Sequence, residues 1–301
     1  MKKKWVLGGL VLVVLMVFAF LPAIQEGTEI QQYNQEARRQ KIRNDMAQMR
    51  AEIRANGWDF EVDVNEAMQY SIDQLCTFKP ELKPQDYDLE AECNDGGSMA
   101  ALPSYYMGYA TPIKNQGSCG SCWAFATIGA MEAAIKKRKG LTYDLSEQYL
   151  VSCNSYGYGC DGGWFAFGMC KSPGAIIESC FPYKAVDAPC SYCTNPTRYY
   201  LYSYGSVSNN ITSIKTAIYN YGCVAAAVYV NSYFQAYKSG TFTGCQNYSP
   251  NHAIILCGWD DARGAWRLKN SWGTGWGESG YMWIKYGCSQ VGYGSTRCTY
   301  Y

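Results

Sequence analysis

The sequence predicts an α+β fold in which helices precede strands. Residues 123–135 are rich in alanine and large apolar side chains, a composition that favours a buried helix. Short apolar runs follow later in the chain and are separated by turn residues, as strands are. These runs lie at 224–230, 252–259, 265–270 and 280–286. The order of helices first and strands later indicates segregated layers.

The first 25 residues have the pattern of an export sequence. Lys2, Lys3 and Lys4 precede an uncharged stretch whose apolar part runs from residue 6 to residue 21. That length lies between the core of a signal peptide and a full membrane span. We therefore predict that residues 1–25 are either a cleaved signal peptide or a retained signal anchor, with the rest of the chain outside the cytoplasm.

Residues 26–99 differ in composition from the rest of the chain. Apolar side chains at helical spacing predict an amphipathic helix over 30–56. Alternating apolar and acidic residues predict a strand over 58–64. A short helix capped by Asn65 would follow, and residues 76–99 have the proline, glycine and acid content of a linker. A domain boundary is therefore expected near 95–102.

The net charge of +1 hides an asymmetry along the chain. Residues 26–99 carry 16 acidic and 8 basic side chains, whereas residues 100–301 carry 9 acidic and 15 basic ones. An acidic segment before a basic one suggests that the two dock on each other. Charge alone is equally compatible with two separately solvated surfaces.

Cysteine usage points to an oxidising compartment, because the chain has 15 cysteines and most follow residue 118. The pairs Cys119/Cys122 and Cys190/Cys193 each have CxxC spacing, so a zinc site is an alternative. Their wide separation in the chain favours disulfides. Because the count is odd, at least one thiol stays unpaired, and Cys122 is the natural candidate.

Three residues form a candidate catalytic set. Cys122 lies where a glycine-containing loop meets a predicted helix, and the helix N-terminus favours the thiolate. His252 is the only histidine and precedes a buried strand; a single histidine is more often structural, but here an imidazole could share the thiol proton. Asn270, 18 residues later, could orient the ring.

Four sequence blocks resemble those of papain-like cysteine proteases. They are Gln116-Gly117-Ser118-Cys119-Gly120-Ser121-Cys122-Trp123-Ala124-Phe125, Gly159-Cys160-Asp161-Gly162-Gly163, Asn251-His252-Ala253 and Asn270-Ser271-Trp272-Gly273-Thr274-Gly275-Trp276-Gly277. The resemblance covers about residues 102–301. It implies a two-lobed fold with a helical left lobe, a β-barrel-like right lobe and a cleft between them. Residues 100–301 would be the catalytic domain and residues 26–99 an inhibitory pro-segment.

The resemblance assigns a role to each catalytic position. Cys122 would be the nucleophile, His252 the general base and acid, and Asn270 the group that orients His252. The amide of Gln116 and the backbone N–H of Cys122 would form the oxyanion hole. Trp272 would shield the bond between Asn270 and His252 from water.

The resemblance also implies a substrate site and disulfides. Gly162 and Gly163 would line the cleft, with Trp164, Phe165, Ala253 and Trp272 beside them, which suggests an apolar pocket for the second residue before the scissile bond. The implied disulfides are Cys119–Cys160, Cys153–Cys190 and Cys245–Cys288. Proximity in the chain suggests Cys180–Cys193, and Cys223 with Cys298 is a further expectation, while Cys257 is expected to be an inert thiol.

These features together predict an exported zymogen that hydrolyses internal peptide bonds without a metal or other cofactor. Its partners would be protein or peptide substrates and its own pro-segment, and not nucleic acid. We expect a monomer, secreted or extracytoplasmic, with a membrane tether if residues 1–25 are retained. Two alternatives remain open: a catalytically silent papain-fold protein with a binding or structural role, and a thiol acyltransferase.

Overall fold

A computed structural model describes residues 36–85, residue 87 and residues 101–301. The chain divides into two compact units, one ending at Ala51 and one running from Glu52 to Tyr301. The predicted signal or anchor lies outside the described residues, as does most of the predicted domain boundary. Within the described part of the chain, no helix is long and apolar enough to cross a membrane.

The first helix, α1, covers residues 36–55 and agrees with the prediction over the described part. In the first unit its surface carries ion pairs, with Lys41 Nζ 2.6 Å from Asp45 Oδ2 and Arg43 Nη2 2.7 Å from Glu36 Oε1. Such exposed pairs contribute little to stability. The helix ends before Gly57, whose φ of +62° is the left-handed conformation that terminates helices.

The next part of the chain forms short elements rather than the single helix expected after Asn65. Strand β1 is Phe60–Val62, a 3₁₀ turn covers Glu66–Gln69, and helix α2 is Ile72–Leu75. The break occurs because Ser71 starts a new helix with a capping box: its hydroxyl accepts from the Gln74 N–H, and its own N–H donates to the Gln74 side chain.

The remaining elements confirm the α+β class. The helices are α3 (Cys122–Lys139), α4 (Glu147–Cys153), α5 (Phe167–Met169), α6 (Ile211–Tyr221) and α7 (Ser232–Gln235). The strands are β2 (Tyr105–Met107), β3 (Ala175–Ile176), β4 (Arg198–Tyr199), β5 (Leu201–Ser206), β6 (Val224–Val228), β7 (Tyr237–Phe242), β8 (His252–Asp260), β9 (Ala265–Lys269), β10 (Tyr281–Lys285) and β11 (Tyr293–Tyr300).

The main sheet has nine strands. Its order is β1-β7-β10-β9-β8-β6-β11-β5, with β2 paired to β8. All of its strand pairs are antiparallel except β7 with β10. The described strands do not close into a barrel, because β1 and β5 end the path without meeting. The sheet is thus an open form of the expected β-barrel-like lobe.

Helix α3 and strand β8 form the centre of the core. Every α3 residue from Cys122 to Ile135 is buried, and so is nearly all of β8. The two pack unusually closely at Gly129, where an added Cβ would lie 2.2 Å from Ile255 Cδ1. This contact fixes the start of α3 relative to the start of β8, and those two starts carry Cys122 and His252.

A buried charge cluster joins α3 and α4 to the chain before them. Lys114 Nζ lies 2.9 Å from Glu132 Oε1 and 2.8 Å from Glu147 Oε1, and it also donates to the Leu145 carbonyl oxygen at 2.9 Å. The two carboxylates are almost fully buried, at 1% and 2% exposure. Burial raises the pKa of Glu147 and Lys114 opposes that rise, so the lysine is the cation that lets two buried carboxyl groups lie close together.

We expect Lys114→Met to lower the free energy of unfolding by about 3–5 kcal/mol, because it removes the cation that bonds directly to both Glu132 and Glu147 and leaves only the charge of Lys269 near Glu132. Lys238→Met is the matched control. Its partner Asp63 lies 3.3 Å away, but both side chains are about half exposed, so the loss should be at most about 1 kcal/mol. Urea denaturation of the two variants measures both values, and equal losses would contradict the assignment.

Candidate active site

Cys122 is the first residue of α3 and is fully buried. The loop before it is held by the Cys119–Cys160 disulfide. Gly120 is required there, since an added Cβ would lie 2.2 Å from the Cys160 carbonyl oxygen. The thiol therefore sits at the N-terminus of an 18-residue helix, where the unpaired backbone N–H groups favour negative charge.

His252 and Asn270 meet because β8 and β9 are antiparallel neighbours. His252 begins β8, Asn270 directly follows β9, and the two side chains join through His252 Nε2 and Asn270 Oδ1 at 2.8 Å. His252 Nδ1 has no hydrogen-bond partner among the described residues. This leaves Nδ1 as the nitrogen that can exchange a proton with a thiol.

Trp272 covers the imidazole. Its ring centroid lies 4.8 Å from that of His252, and the indole is 2% exposed. Trp272 in turn packs edge-on against Trp276 at 5.4 Å. The two indoles bury the bond between His252 and Asn270, which fits the shielding expected for Trp272 and places it against the catalytic ring.

The start of β8 also approaches the Cys122 sulfur. The backbone N–H of Ala253, the residue after His252, is directed at the sulfur, as is the backbone N–H of Trp123. Ala253 is 1% exposed. The structure thus brings Cys122, His252 and Asn270 together from α3, β8 and the end of β9.

Gln116 is held by hydrogen bonds on both sides of its amide. Its Oε1 accepts from Ser271 Oγ at 2.7 Å, and its backbone N–H donates to the Ser271 carbonyl oxygen at 2.8 Å. Its Nε2 donates to the Cys119 carbonyl oxygen at 2.9 Å and to the Leu75 carbonyl oxygen at 3.0 Å. Ser271 was not singled out from the sequence, although it adjoins Asn270.

Residues 75–79, which we call the cleft segment, occupy this site. The Phe78 N–H donates to the Asn251 carbonyl oxygen at 2.9 Å, and the Lys79 N–H donates to the Gly163 carbonyl oxygen at 3.1 Å. The Gly163 N–H donates to the Thr77 carbonyl oxygen at 3.3 Å, which makes a parallel bridge between Phe78 and Gly163. The expectation that residues 76–99 are linker is therefore wrong for the part that the structure describes.

Close backbone contact in the cleft depends on Gly162. Its φ is +113°, and an added Cβ would lie 2.0 Å from the Thr77 carbonyl oxygen. The Thr77 hydroxyl donates to the Gly120 carbonyl oxygen. The backbone N–H and hydroxyl of Thr77 are also both directed at the Cys122 sulfur. The Thr77 N–H and hydroxyl oxygen thus lie against the sulfur, where a reacting substrate would present a carbonyl carbon.

The side chain of Phe78 fills the apolar pocket expected from Trp164 and Phe165. Its ring lies 4.8 Å from Trp164 and 5.0 Å from Phe165, and it is 3% exposed. Tyr87 packs edge-on against Trp164 at 5.8 Å and donates its hydroxyl to Thr296 Oγ1 at 3.1 Å. The sequence signal for Phe78 was an uncharged stretch between Asp73 and Lys79 within an acidic region.

Burial by the cleft segment keeps the catalytic pair neutral. Desolvation lowers the pKa of His252 to about 4, although its bond to Asn270 and the nearby Leu75 carbonyl act in the opposite direction. Desolvation also raises the pKa of the Cys122 thiol, against the hydrogen bonds donated to the sulfur. The covered site therefore holds a neutral imidazole and a protonated thiol, which is a weak nucleophile.

Four disulfides lie in the described part of the chain. They are Cys119–Cys160, Cys153–Cys190, Cys180–Cys193 and Cys245–Cys288. The expected bond between Cys223 and Cys298 is wrong, because both are buried free thiols. Cys223 lies just before β6 and Cys298 within β11, and these strands are joined by the hydrogen bonds of the sheet instead. Among the described residues, no cluster of three or more histidine, cysteine or acidic side chains could hold a metal ion.

The fold and the thiol, imidazole and amide groups define a cysteine-hydrolase centre. The family model described as papain family cysteine protease matches residues 104–300. The chain therefore belongs to the papain family of cysteine proteases.

Curated relatives and solved structures agree with this assignment. The chain is 40% identical to zingipain-2 of Zingiber officinale, over 58% of this chain and 82% of the relative. It is 42% identical to the senescence-specific cysteine protease SAG12 of Arabidopsis thaliana, over 59% of this chain and 54% of the relative. The chain thus spans only about half the length of some relatives that it matches.

The likeness to precursor structures extends beyond the family match. Digestive procathepsin L 3 of the Tenebrio molitor larval midgut superposes with a TM-score of 0.75 at 27% identity, covering 86% of this chain and 89% of that chain. The recombinant stem bromelain precursor superposes with a TM-score of 0.74 at 31% identity, covering 87% and 89%. This coverage is more than residues 101–301 supply, so part of the N-terminal region is shared with these precursors.

We expect Gln116→Ala to lower kcat for a peptide substrate about 100- to 1000-fold, because it removes an amide donor from the developing oxyanion. The rate at which iodoacetamide alkylates Cys122 in the same activated protein should change only a few-fold, because alkylation forms no oxyanion. Ser271→Ala is the partner variant and should lower kcat less, since it releases the Gln116 amide without removing it. Parallel losses of alkylation and hydrolysis in Gln116→Ala would instead indicate a damaged thiol site.

Proposed function

We propose that this chain is the precursor of a papain-like cysteine endopeptidase, in which residues 26–99 are a pro-segment that inhibits the catalytic domain of residues 100–301. The observation that carries the proposal is the convergence of three features: Cys122 at the start of α3, the hydrogen bond between His252 and Asn270, and the Gln116 amide bonded to the loop before Cys122. The cleft segment in that cleft supports the inhibitory role.

In the open enzyme, His252 Nδ1 would take the proton of the Cys122 thiol, and the thiolate would attack the substrate carbonyl carbon. The oxyanion that forms would accept hydrogen bonds from Gln116 Nε2 and the Cys122 backbone N–H. The protonated His252 would then give its proton to the leaving amine, which leaves a thioester on Cys122. Water, deprotonated by His252, would hydrolyse the thioester and regenerate the thiol.

Asn270 would act through His252. The bond from its Oδ1 requires the proton of the neutral ring to be on Nε2, so Nδ1 carries the lone pair. When the ring becomes charged, the same bond persists and the ring keeps its orientation. Trp272 and Trp276 exclude water that would compete for Nε2.

The cleft segment inhibits by occupying the groups that a substrate would use. The Leu75 carbonyl oxygen takes the Gln116 amide, and Thr77 places an N–H and a hydroxyl against the Cys122 sulfur. No reactive carbon is therefore presented to the nucleophile. The same contacts exclude water and keep the pair uncharged, so the covered site lacks both substrate access and a thiolate.

Phe78 serves as a guide to substrate preference. It combines backbone hydrogen bonds beside Gly163 with a ring packed on Trp164 and Phe165. A substrate that uses the same backbone groups would place a side chain in the same pocket. We propose a preference for aromatic or large aliphatic side chains at the second residue before the scissile bond.

The four disulfides support function outside the reducing cytosol. We propose an exported enzyme whose residues 1–25 direct the export, as a cleaved signal peptide or as an anchor. A monomer remains our expectation, because the catalytic set and the cleft are complete within one chain.

The function is tested with a panel of fluorogenic peptides that differ only at the second residue before the scissile bond. Activated enzyme should cleave peptides with phenylalanine or leucine there at least about 10-fold faster, in kcat/KM, than peptides with alanine, lysine or aspartate, because each extra buried methylene favours binding. Cleavage within longer peptides, rather than from their ends, would establish the endopeptidase.

The matched control is Cys122→Ser, which should abolish hydrolysis and labelling by an epoxysuccinyl thiol inhibitor. Labelling of Cys122 without hydrolysis would indicate a binding protein that kept its thiol. Transfer to an added amine in preference to water would indicate an acyltransferase. Hydrolysis that persists in Cys122→Ser would contradict the proposed nucleophile.

We expect acid to open the cleft, because the open form can protonate His252 and the closed form cannot. The pKa of His252 is about 4 when covered, whereas an exposed imidazole has a pKa of about 6.5. Between these values the open form binds a proton that the closed form cannot, so closure is strongest above about pH 6.5 and is lost as the pH falls toward 4. We expect the open fraction to rise roughly 100-fold across this window.

Hydrogen exchange of the Phe78 and Lys79 amides, corrected for intrinsic rates, measures opening in a Cys122→Ser background that cannot digest itself. Position 122 is a serine in this background and does not titrate, and burial raises the pKa of Cys76 well above its ordinary value, so Cys76 stays protonated across this range. His252→Gln is the control and should flatten the profile. A pH dependence that persists unchanged in this control would contradict the role of His252.

A further inference from the structure

Cys76 is the central residue of the contacts that close the cleft. On one side of it, the Leu75 carbonyl oxygen accepts from Gln116 Nε2 at 3.0 Å. On the other side, Thr77 donates its hydroxyl hydrogen to the Gly120 carbonyl oxygen, and its backbone N–H is directed at the Cys122 sulfur. Cys76 is thus one peptide bond away from a group that contacts the nucleophile.

Both cysteines are free thiols in the structure, and both are buried. Cys76 is 8% exposed and Cys122 is 0% exposed. Burial raises the pKa of Cys76 well above its ordinary value, and the nearby Cys122 raises it further, as expected for two thiols that share one small space. In the described part of the chain, the other free cysteines are Cys170, Cys223, Cys257 and Cys298.

The contacts that close the cleft do not use the Cys76 side chain. The apolar pocket is filled by Phe78, the oxyanion donor is taken by Leu75, and the nucleophile is covered by Thr77. A serine or alanine would satisfy the same backbone path. The four disulfides of the described chain indicate an oxidising compartment. In such a compartment, a thiol at position 76 could close the cleft by a covalent bond as well as by hydrogen bonds.

We propose that Cys76 and Cys122 form a disulfide that covalently locks the precursor, and that reduction of this bond is a step in activation. This proposal rests on the proposed function and adds a regulation to it. The non-covalent closure described above would then be the reduced, releasable form of the precursor.

The bond would form by thiol–disulfide exchange with a small-molecule disulfide such as oxidised glutathione. Transient opening would let the Cys122 thiolate attack one sulfur of the oxidant, giving a mixed disulfide and releasing one glutathione thiolate. The Cys76 thiolate would then attack the Cys122 sulfur and release the second. Two protein thiols are oxidised to one disulfide, one glutathione disulfide is reduced to two thiols, and the two protons leave with them.

The geometry supports this bond in preference to other pairings of Cys122. A disulfide requires Cα atoms within about 7 Å, and hydrogen bonds to Gln116, Gly120 and Asn251 hold the chain on both sides of Cys76 beside the nucleophile. Cys119, the nearest cysteine in sequence, is already bonded to Cys160. Closing the bond would also remove the nucleophile from reaction with any substrate.

The test uses the intact chain, incubated with mixtures of oxidised and reduced glutathione, blocked with an alkylating reagent, digested without reduction and analysed by mass spectrometry. The expected result is a peptide pair joined through Cys76 and Cys122 that disappears as the reduced fraction rises. Finding Cys122 alkylated, joined to Cys93 or bound only to glutathione under oxidising conditions would overturn the proposal.

Two serine variants make the test specific. Cys93→Ser is the matched control, since it removes another cysteine of the N-terminal region and should keep the joined pair. Cys76→Ser should lose the pair. After oxidation and removal of glutathione, acid activation of wild type and Cys93→Ser should be at least about 10-fold slower without added thiol than with it, because a disulfide of this kind opens only by exchange.

The two hypotheses fail in different ways. The joined peptide is detected by mass alone, so it can be present even if the activated protein hydrolyses no peptide, and then only the proposed function is wrong. If activated enzyme cleaves peptides and the joined peptide is missing, only the lock is wrong. Cys76→Ser keeps every residue of the catalytic set, so activated wild type and variant should have equal kcat/KM.

Discussion

The hydrogen bond between His252 Nε2 and Asn270 Oδ1 is the interaction on which the site depends. It exists because β8 and β9 pair antiparallel, with Ile255 opposite Lys269, so the residues at the adjoining ends face each other. It occupies Nε2 and leaves Nδ1 as the ring nitrogen without a partner among the described residues. The close packing of α3 on β8 at Gly129 then sets where that thiol lies. A sheet register and one helix contact therefore define the catalytic geometry.

The charge state of this site depends on what covers it. A thiol and an imidazole exchange a proton readily only when the resulting ion pair is stabilised, and desolvation opposes both charges. By burying Cys122 and His252 completely, the cleft segment shifts both groups toward their neutral forms. Inhibition therefore has an electrostatic part as well as a steric one, and both are removed together when the segment leaves.

The sequence predicted the residues of the candidate site better than it predicted the arrangement of the strands and segments around them. Cys122, His252 and Asn270 could be predicted because few residue types perform their chemistry and because four blocks resemble a known family. The strands of 252–286 could be predicted because their apolar runs are continuous and end at turn residues. The open edge of the sheet could not be predicted. Whether a sheet closes into a barrel depends on strand tilt and register, which no local sequence pattern encodes.

The residues that the sequence missed act mainly through their backbones or through distant contacts. Leu75 matters for its carbonyl oxygen, and any residue supplies one. Phe78 became significant only when the fold brought it against Trp164 and Phe165, more than 80 positions away. The single helix expected over Asn65–Leu75 is two short elements, because Asn65 caps the first and Ser71 caps the second. Hydrophobic periodicity does not decide which of two good N-cap residues begins a helix.

Recognition through the backbone would let one cleft accept both the proposed inhibitory segment and substrates of different sequence. Gly162 and Gly163 expose main-chain groups that any peptide can reach, and a side chain at Gly162 would collide with the Thr77 carbonyl oxygen. The cleft segment uses these same groups, so its advantage over a substrate cannot come from better chemistry at the site. The advantage comes from attachment: a tethered peptide has a high effective concentration, and weak contacts then suffice to keep the cleft closed. Cleavage of the chain between the cleft segment and the catalytic domain would lower this effective concentration without changing any contact in the cleft. Such a cleavage could therefore activate the proposed precursor even though it lies far from the nucleophile.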